Sequence, residues 1–189
     1  MSLPTLTTER LILRPFVHED AADVTRLVSD RRIADTTLNI PHPYEETVAE
    51  AWIGTHAEVA DRDEGLTLAV TERTRGALVG AVALTITRAH RRAELGYWVA
   101  VEHWGRGYAT EASRAVLDYA FGALDLTRVV AHCLTRNPGS WRVMEKLGMR
   151  REGQLREHVI KWDVTEDLWI YGVLREEWRT LTRAGDPCT

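Results

Sequence analysis

The stretch HWGRGYATEA, residues 103–112, marks an abrupt change of periodicity in this chain. Glu94 to Val101 before it has the pattern of a strand, and apolar residues from Ala109 to Leu124 after it recur at helical spacing. The first turn of a helix leaves backbone N–H groups without partners, and two glycines let a ligand approach the bare backbone. With the helix dipole and Arg106, this turn predicts an anion site that suits a pyrophosphate. A lone G-x-G also occurs in ordinary βα turns, so the motif needs support from its surroundings.

Length and composition restrict the class of protein. A chain of 189 residues with 44% hydrophobic and 28% charged residues predicts one globular domain. No apolar run approaches the roughly 20 residues of a membrane span, and the N-terminus lacks the layout of a secretory signal, so we expect a cytoplasmic protein without a membrane partner. A formal net charge of −4 argues against a nucleic-acid partner. Cys133 and Cys188 have neither metal-site spacing nor a disulfide pattern, so we expect no metal and a buried, apolar role for Cys133.

Periodicity elsewhere places the turn between the fourth and fifth of seven predicted strands. The predicted order is β-α-α-β-β-β-α-β-α-β-β, with residues 30–44 as a loop and a crossover that makes the fourth and fifth strands near-parallel. Besides the segments above, the predicted elements are a strand within TERLILRPF (residues 8–16), helices at His18–Ser29 and Glu45–Ala60, strands at Gly65–Glu72 and Ala77–Ile86, a strand that begins at Ala93, a strand at Thr127–Thr135, a helix that ends at Gly148, strands at Leu155–Trp162 and Asp167–Leu174, and a helical turn at Arg175–Leu181.

The turn resembles the acyl-CoA-binding motif Q/R-x-x-G-x-G/A of the GNAT superfamily of N-acetyltransferases. The matching run is Trp104 to Ala109, and Trp104 departs from the Gln or Arg of the first position. Three segments are similar to the RimJ/RimL type, the ribosomal-protein N-terminal acetyltransferases. They are W-G-R-G-Y-A-T-E-A, the opening T-E-R-L-I-L-R and a later N-x-x-S-x-x-V-x-x-K-L-G segment. The resemblance covers nearly the whole chain. It implies an α+β (mixed α/β) GNAT fold with a mostly antiparallel twisted sheet and about four helices, a single domain at residues 1–183, and a flexible tail at residues 184–189.

The same resemblance implies that acetyl-CoA is a cosubstrate, held where the fourth strand splays from the fifth. Backbone groups near Val99 and Val101 would contact the pantetheine arm or polarise the thioester carbonyl. The residues implied in cofactor binding are Val99, Val101, Arg106, Gly107, Tyr108, Ala109, Thr110, Asn137 and Lys146. Asn137 is equally suited to capping the following helix, and both roles are compatible.

The catalytic assignments rest on Glu94 and Ser140. Ser140, three residues after Asn137, is the candidate donor of a proton to the departing CoA thiolate. Other branches of the family assign that role to a tyrosine seven residues after the Asn, where this chain has Met144, which cannot donate a proton. A role confined to the helix terminus is the alternative for Ser140. Glu94 is the candidate base, directly or through water, with Glu157 and His158 as rivals of which only one can face the cleft.

The acceptor side is less defined. Asn39, His42 and Tyr44, in the predicted loop, are weak candidates for contacting the substrate, and plain loop roles are the alternative. Four tryptophans are candidates for lining the cleft, against ordinary packing in the core: Trp98, Trp141, Trp162 and Trp169.

Three functions follow from this interpretation. The first is direct acetyl transfer from acetyl-CoA to a primary amine, with a protein N-terminal α-amine as the expected acceptor. The alternatives are acetylation of a small-molecule amine (an antibiotic, a polyamine or an amino-acid-like metabolite) and a CoA-binding module without turnover. The sequence leaves homodimer formation open. A Rossmann-type nucleotide site is disfavoured, because its glycines belong after the first strand.

Overall fold

A computed structural model describes residues 3–185 of the chain. One sheet of eight strands runs through it in the order β1-β2-β3-β4-β5-β6-β8-β7. The strands are β1 (Leu6–Thr7), β2 (Leu11–Pro15), β3 (Gly65–Glu72), β4 (Leu78–Thr87), β5 (Arg92–Val99), β6 (Arg128–Leu134), β7 (Arg150–Lys161) and β8 (Val164–Leu174). The α-helices are α1 (Asp20–Val28), α2 (Arg31–Thr36), α3 (Glu46–Gly54), α4 (His56–Asp61), α5 (Tyr108–Gly122), α6 (Pro138–Lys146) and α7 (Arg175–Gly185).

The pairing of the strands confirms the predicted architecture. Neighbouring strands are antiparallel except β5 and β6, which are parallel and are connected along the chain through α5. β5 and β6 correspond to the fourth and fifth of the seven predicted strands, because the structure has one additional strand at the start, the two-residue β1. The final helical turn is the longer helix α7, and both closing strands begin earlier than the sequence predicts, at Arg150 and Val164.

The predicted loop at residues 30–44 was wrong in part, because it contains α2. The signal was present in the sequence: Asp30 accepts a hydrogen bond from the Arg32 backbone N–H at 2.9 Å, as an N-cap does. A helix of six residues is too short to display helical periodicity. Within residues 3–185 the structure has seven helices where the sequence predicts about four. The three additional ones are α2, α7, and the second of the two helices into which the predicted helix at residues 45–60 is divided.

The predicted helix over residues 45–60 is divided into α3 and α4 at Thr55. The sequence predicts one apolar face with Val48, Trp52, Ile53 and Ala57, and the structure buries only part of it. Val48 is 38% exposed and Ala57 is exposed, whereas Ala49 and Ile53 are buried.

Two hydrophobic clusters occupy the two faces of the sheet. One packs α5, α6 and α7 against inward residues of β2 to β6 and β8, and includes Leu95 and Cys133. The other packs α1, α2 and α3 against the opposite face and includes Trp98. Side chains alternate between the faces of a strand, so adjacent residues of β5 and β6 point into different layers.

Helix α7 extends to Gly185, two residues into the predicted tail. Residues 186–189 lie outside the described part of the chain, as does Cys188, so the tail itself stays a prediction. Within residues 3–185, each helix is too short or too polar to cross a bilayer.

Candidate functional site

The parallel strands β5 and β6 separate soon after they begin. They pair at Arg92↔Arg128, Ala93↔Val129 and Glu94↔Val130, although β5 has eight residues and β6 has seven. Beyond Glu94 each strand keeps only its outer neighbour, β4 or β8. A cleft of about 340 Å³ lies at the resulting gap. The facing strand edges carry backbone donors and acceptors without a strand partner, which an extended ligand could satisfy.

The cleft passes through the sheet, because its lining comes from both layers. Gly96 and Trp98 belong to the layer of α1, α2 and α3, and Leu95 and Cys133 to the layer of α5 and α6. Helices α1 and α3 and the segment between α2 and α3 close the first side. Their contributions to the lining are Val24, Val28, Thr36, Thr37, Leu38, Asn39, Ile40, Pro41, Tyr44, Val48 and Trp52.

A carboxylate and an imidazole face each other across the gap on the α1–α3 side. Glu94 Oε1 lies 2.8 Å from His132 Nδ1. The hydrogen bond to His132 lowers the pKa of Glu94, and the same bond raises the pKa of His132. Both side chains line the cleft. The pair therefore places a group able to accept a proton on the side closed by α1 and α3.

Two hydroxyl groups meet on the opposite side of the gap. Tyr97 Oη lies 2.9 Å from Ser140 Oγ and donates to the Ser140 backbone oxygen at 3.0 Å. Burial raises the pKa of Tyr97 well above its usual range, and burial raises the pKa of the Cys133 thiol to about 11. Both groups are therefore protonated at neutral pH. Cys133 is buried, as predicted, and it lies in the cleft wall.

Asn137 caps helix α6 and also ties it to the opposite layer. Its Oδ1 accepts from the Ser140 backbone N–H at 3.1 Å, and its Nδ2 donates to the Thr36 carbonyl oxygen at 2.9 Å. The cap that the sequence left open for Ser140 is thus supplied by Asn137. The hydroxyl of Ser140 is directed instead to Tyr97.

The turn before α5 has the geometry of an anion cradle. Gly105 and Gly107 have φ of +76° and +81°, values that an L side chain rarely adopts. Gly107 is the N-cap of α5 and has no side chain to bond the first-turn amides. Fifteen aligned peptide units in α5 direct their positive end to this point. The first-turn amides of Gly107, Tyr108, Ala109 and Thr110 thus fit a pyrophosphate.

A clasp from the β1–β2 turn holds this cradle in place. The Arg10 guanidinium donates to the Arg106 carbonyl at 2.9 Å and to Glu111 Oε2 at 2.7 Å. Thr8 Oγ1 donates to Glu111 Oε1 at 2.6 Å. The Tyr108 side chain lies under Arg10 and donates to Glu72 at 2.8 Å, so this side chain packs in the structure and only its backbone is offered to a ligand.

A shallow groove continues from the cradle along α5 and α6. Its walls include Gly107, Thr110, Arg114 and Lys146. Arg114 donates to the Lys146 backbone carbonyl oxygen at 3.3 Å, and both residues line this groove. Lys146 is therefore near the cradle, as the sequence predicts for a cofactor-binding residue.

The groups expected from the end of β5 differ in their accessibility. The Val99 carbonyl accepts a hydrogen bond from Trp104 Nε1 at 2.7 Å, so its oxygen is engaged by the residue that departs from the family motif. Val101 begins a short 3₁₀ turn, Val101–His103, between β5 and the cradle. Both positions lie on the path from the gap to the cradle.

Several residues predicted for the cleft lie elsewhere. Glu157 and His158 are at a register shift in β7 and are not among the residues that line the cleft. Trp141 and Trp169 contact each other, with ring centroids 5.9 Å apart. Trp162 makes an edge-to-face contact with His42 near the tip of the β7–β8 hairpin. Of the seven weaker candidates, the three loop residues and the four tryptophans, three line the cleft: Trp98, Asn39 and Tyr44.

Sequence reasoning missed His132, Tyr97, Trp52 and Arg10 as functional candidates. Alternation in β5 and β6 could place Glu94 and His132 on one face, but it does not tell which strands are neighbours. The motif T-E-R-L contained Arg10, yet its partner Glu111 lies 101 residues away. Within residues 3–185 no cluster of three or more His, Cys, Asp or Glu could hold a metal ion.

Comparison with known proteins places this geometry in a family. The model of the acetyltransferase (GNAT) domain matches residues 10–150. YoaA of Bacillus subtilis, named an uncharacterized N-acetyltransferase, is 30% identical over 173 residues, 91% of this chain and 97% of YoaA. Spermidine N(1)-acetyltransferase of Vibrio cholerae is 29% identical over 149 residues, 78% of this chain and 83% of that enzyme. Mycobacterium smegmatis RimJ, solved in complex with CoA-disulfide, has the same fold, with a TM-score of 0.81 and 23% identity over 97% of this chain and 94% of RimJ.

Proposed function

The chain belongs to the GNAT acetyltransferase family and is an N-acetyltransferase, and we propose that it transfers the acetyl group of acetyl-CoA to the N-terminal α-amine of a protein. One observation carries the proposal: the cleft between β5 and β6 passes through the sheet and has different chemistry at its two sides. A carboxylate–imidazole pair faces one side, and a pair of hydroxyl groups faces the other. An amine and a thioester could therefore meet in the gap from opposite layers.

The cradle and the groove would hold the cosubstrate. The amides of Arg106, Gly107, Tyr108, Ala109 and Thr110 point the positive end of α5 at the pyrophosphate, and Lys146 adds a cation in the adjoining groove. The free edges of β5 and β6 would hydrogen-bond the amides of the pantetheine arm, with Val99 and Val101 at the end of that path. Asn137 keeps α6 against this path through its bonds to Ser140 and Thr36.

The residues in the gap would manage the protons of the transfer. The Glu94–His132 pair receives a proton from the acceptor ammonium, which frees the nitrogen lone pair for attack on the thioester carbonyl. The C–N bond forms and the C–S bond breaks. Ser140, held by the protonated Tyr97, donates a hydrogen bond and a proton to the thiolate, while the second amine proton returns to the hydroxyl pair. Holding both reactants in the gap accounts for a large share of the acceleration.

The composition of the acceptor side favours an α-amine over a polyamine. Its walls are largely apolar, with Trp52 and Tyr44 from the α3 side. Among the described residues that line the cleft, Glu94 is the single carboxylate, and it is already paired with His132. A polyamine carries further ammonium groups that need carboxylates of their own. The chain is nonetheless similar to a spermidine acetyltransferase, so a polyamine is the acceptor to test against.

An acceptor panel tests the proposal. Thiol release from acetyl-CoA would be measured with short peptides that have a free N-terminus and no lysine, with the same peptides blocked at the N-terminus, and with spermidine. We expect turnover of the free peptides, none of the blocked ones, and at least about a tenfold lower kcat/KM for spermidine, since one desolvated unpaired charge costs more than 1.4 kcal/mol. Preference for spermidine would assign the protein to the small-amine class, and CoA binding without any turnover would assign it to the sensor class.

A further inference from the structure

We infer that His132 is the group that takes the proton from the acceptor amine and that Glu94 is its positioning partner. The inference rests on the proposed acetyl transfer. It reverses the roles that the sequence suggested, in which Glu94 is the base and His132 has none.

Hydrogen-bond chemistry determines the roles within the pair. An ionised carboxylate only accepts hydrogen bonds, so the hydrogen between Glu94 Oε1 and His132 Nδ1 belongs to the imidazole. That bond selects the tautomer in which Nε2 carries the free lone pair. No hydrogen bond to Nε2 occurs within residues 3–185. His132 lines the cleft, so Nε2 is the basic nitrogen that remains available there.

Burial points to the same assignment. The His132 side chain is 22% exposed and the Glu94 side chain is 48% exposed, so the imidazole is the more sheltered member of the pair. Glu94 has a lowered pKa, because it is bonded to His132, and is a weak acceptor for a proton from an alkylammonium group. His132 has a raised pKa, mainly through its bond to Glu94, which makes the neutral imidazole a stronger base.

The proposed step conserves atoms and charge. The N–H bond of the acceptor ammonium breaks as an N–H bond forms at His132 Nε2, and the resulting imidazolium is stabilised by the Glu94 carboxylate. The neutral amine then attacks the thioester carbon, and the C–S electron pair leaves with the sulfur. The second amine proton passes to the Ser140–Tyr97 hydroxyl pair as Ser140 protonates the thiolate. His132 returns its proton to solvent before the next turnover.

Few other groups in the cleft titrate near neutrality. Arg92 on β5 is the additional cation that acts on Glu94. The other titratable side chains that line the cleft are uncharged at pH 7, because burial raises the pKa of each of them: Tyr44 in the segment before α3, Tyr97 on β5 and Cys133 on β6. The difference between the pH dependence of kcat/KM in the wild type and in His132→Gln, between pH 6 and 8, would therefore report His132, because the peptide α-amine, which also titrates near this range, is the same in both.

The experiment compares His132→Gln, Glu94→Gln and the control His90→Gln, whose exposed side chain lies in the turn between β4 and β5. The assay is thiol release from acetyl-CoA with a free-N-terminus peptide, as kcat/KM against pH. The wild type should gain activity as pH rises through the raised pKa of His132. We expect kcat/KM of His132→Gln to fall about 100-fold, because general-base catalysis contributes 10²–10⁴, and the acidic limb of its profile to lose the contribution of His132 while the titration of the peptide α-amine remains. For Glu94→Gln, kcat/KM should fall roughly tenfold, and the acidic limb due to His132 should remain but move to lower pH. His90→Gln should match the wild type.

A second readout does not need turnover. The imidazole signals of His132, identified by their loss in His132→Gln, would be titrated by NMR in the wild type and in Glu94→Gln. We expect the pKa of His132 to fall in Glu94→Gln. An unchanged value, or a larger loss of kcat/KM and of the limb in Glu94→Gln than in His132→Gln, overturns the inference. Failure of the wild type to acetylate any amine overturns the proposed function, and is seen before any variant is compared.

Discussion

The cradle before α5 and the reacting gap between β5 and β6 are built in opposite ways. The cradle is a continuous run of backbone over residues 104–110, in which the main-chain amides of one turn face the ligand. The gap has no such continuity. Its polar groups come from β5, β6 and α6, and Glu94 and Tyr97 reach partners 38 and 43 residues away. The cradle depends on conformation, whereas the gap depends on the identity and placement of side chains.

This difference predicts two kinds of damage. A substitution in the cradle should act on cosubstrate affinity, through backbone conformation, whatever the chemistry of the new side chain. A substitution in the gap should act on turnover and leave affinity nearly intact, since the reacting groups contribute mainly in the transition state.

The largest effect is expected from Gly107→Val. Its φ of +81° is costly for a β-branched residue, so the turn should move out of the conformation that presents its amides. Loss of two hydrogen bonds to a charged ligand, at 1.5–3 kcal/mol each, predicts at least a 100-fold weaker affinity for CoA. Isothermal titration calorimetry with CoA measures it.

Gly76→Val is the matched control. Gly76 has φ of +68°, and the position of an added Cβ meets no atom within 4 Å, in the turn between β3 and β4. Both variants should lose about 1–3 kcal/mol of stability through backbone strain. Only Gly107→Val should lose CoA affinity. Equal affinities in the two variants would contradict the cradle assignment.

An intermediate effect is expected from Ser140→Ala and Tyr97→Phe. Each removes one hydroxyl of the pair, and Ser140→Ala leaves the α6 cap in place because that cap uses the backbone N–H and the Asn137 side chain. We expect kcat to fall roughly 30-fold in Ser140→Ala, within the range of general-acid catalysis, and less in Tyr97→Phe, which acts through Ser140. Stopped-flow or steady-state thiol release provides kcat, and calorimetry provides the CoA affinity.

The two hydroxyl variants should not be additive. If Tyr97 acts by orienting Ser140, the double variant Tyr97→Phe/Ser140→Ala should be no slower than Ser140→Ala alone. Thr182→Ala removes a hydroxyl that bonds only within α7 and serves as the control. A kcat for Ser140→Ala equal to that of the control would leave its hydroxyl with a packing role only.

The contrast also explains what the sequence could predict. Residues 104–110 were predictable because the requirements of the cradle (positive φ, absent side chains and a helix start) are local and leave a mark in consecutive residues. The order of strands along the chain followed from alternation, and the parallel β5–β6 pair followed from the handedness of the crossover. Both features depend on patterns that do not require knowledge of a distant partner.

The gap was less predictable, because its pairs exist only after folding. Glu94 was chosen for its place on the fourth predicted strand and Ser140 for its place just after Asn137, whereas His132 and Tyr97 are ordinary strand residues until β5 and β6 separate. Glu157 and His158 were plausible on the same alternation rule, yet β8 separates β7 from the gap and neither residue lines the cleft. The helix boundaries at Arg31 and Thr55 failed for a local reason, since short helices carry too few residues to define a period.

The smallest effect is expected from Arg10→Ala, and it tests whether the cradle is backbone alone. Arg10 bonds the Arg106 carbonyl and neutralises Glu111, a carboxylate placed in the first turn of α5 beside the anion site. The side chains of Arg10 and Glu111 are 45% and 17% exposed, so solvent weakens the pair. We expect a loss of CoA affinity of about fivefold, near 1 kcal/mol, with kcat at saturating cosubstrate unchanged.

Glu111→Gln in the Arg10→Ala background separates charge from geometry. If the unpaired carboxylate repels the pyrophosphate, the double variant should recover most of the lost affinity, because the repelling charge is gone. If Arg10 acts by holding the Arg106 carbonyl, Glu111→Gln should recover none of it. Arg26→Ala, which removes an exposed ion pair with Asp23 on α1, controls for the loss of one positive charge. An affinity of Arg10→Ala equal to that of Arg26→Ala would mean that the backbone forms the cradle without its clasp.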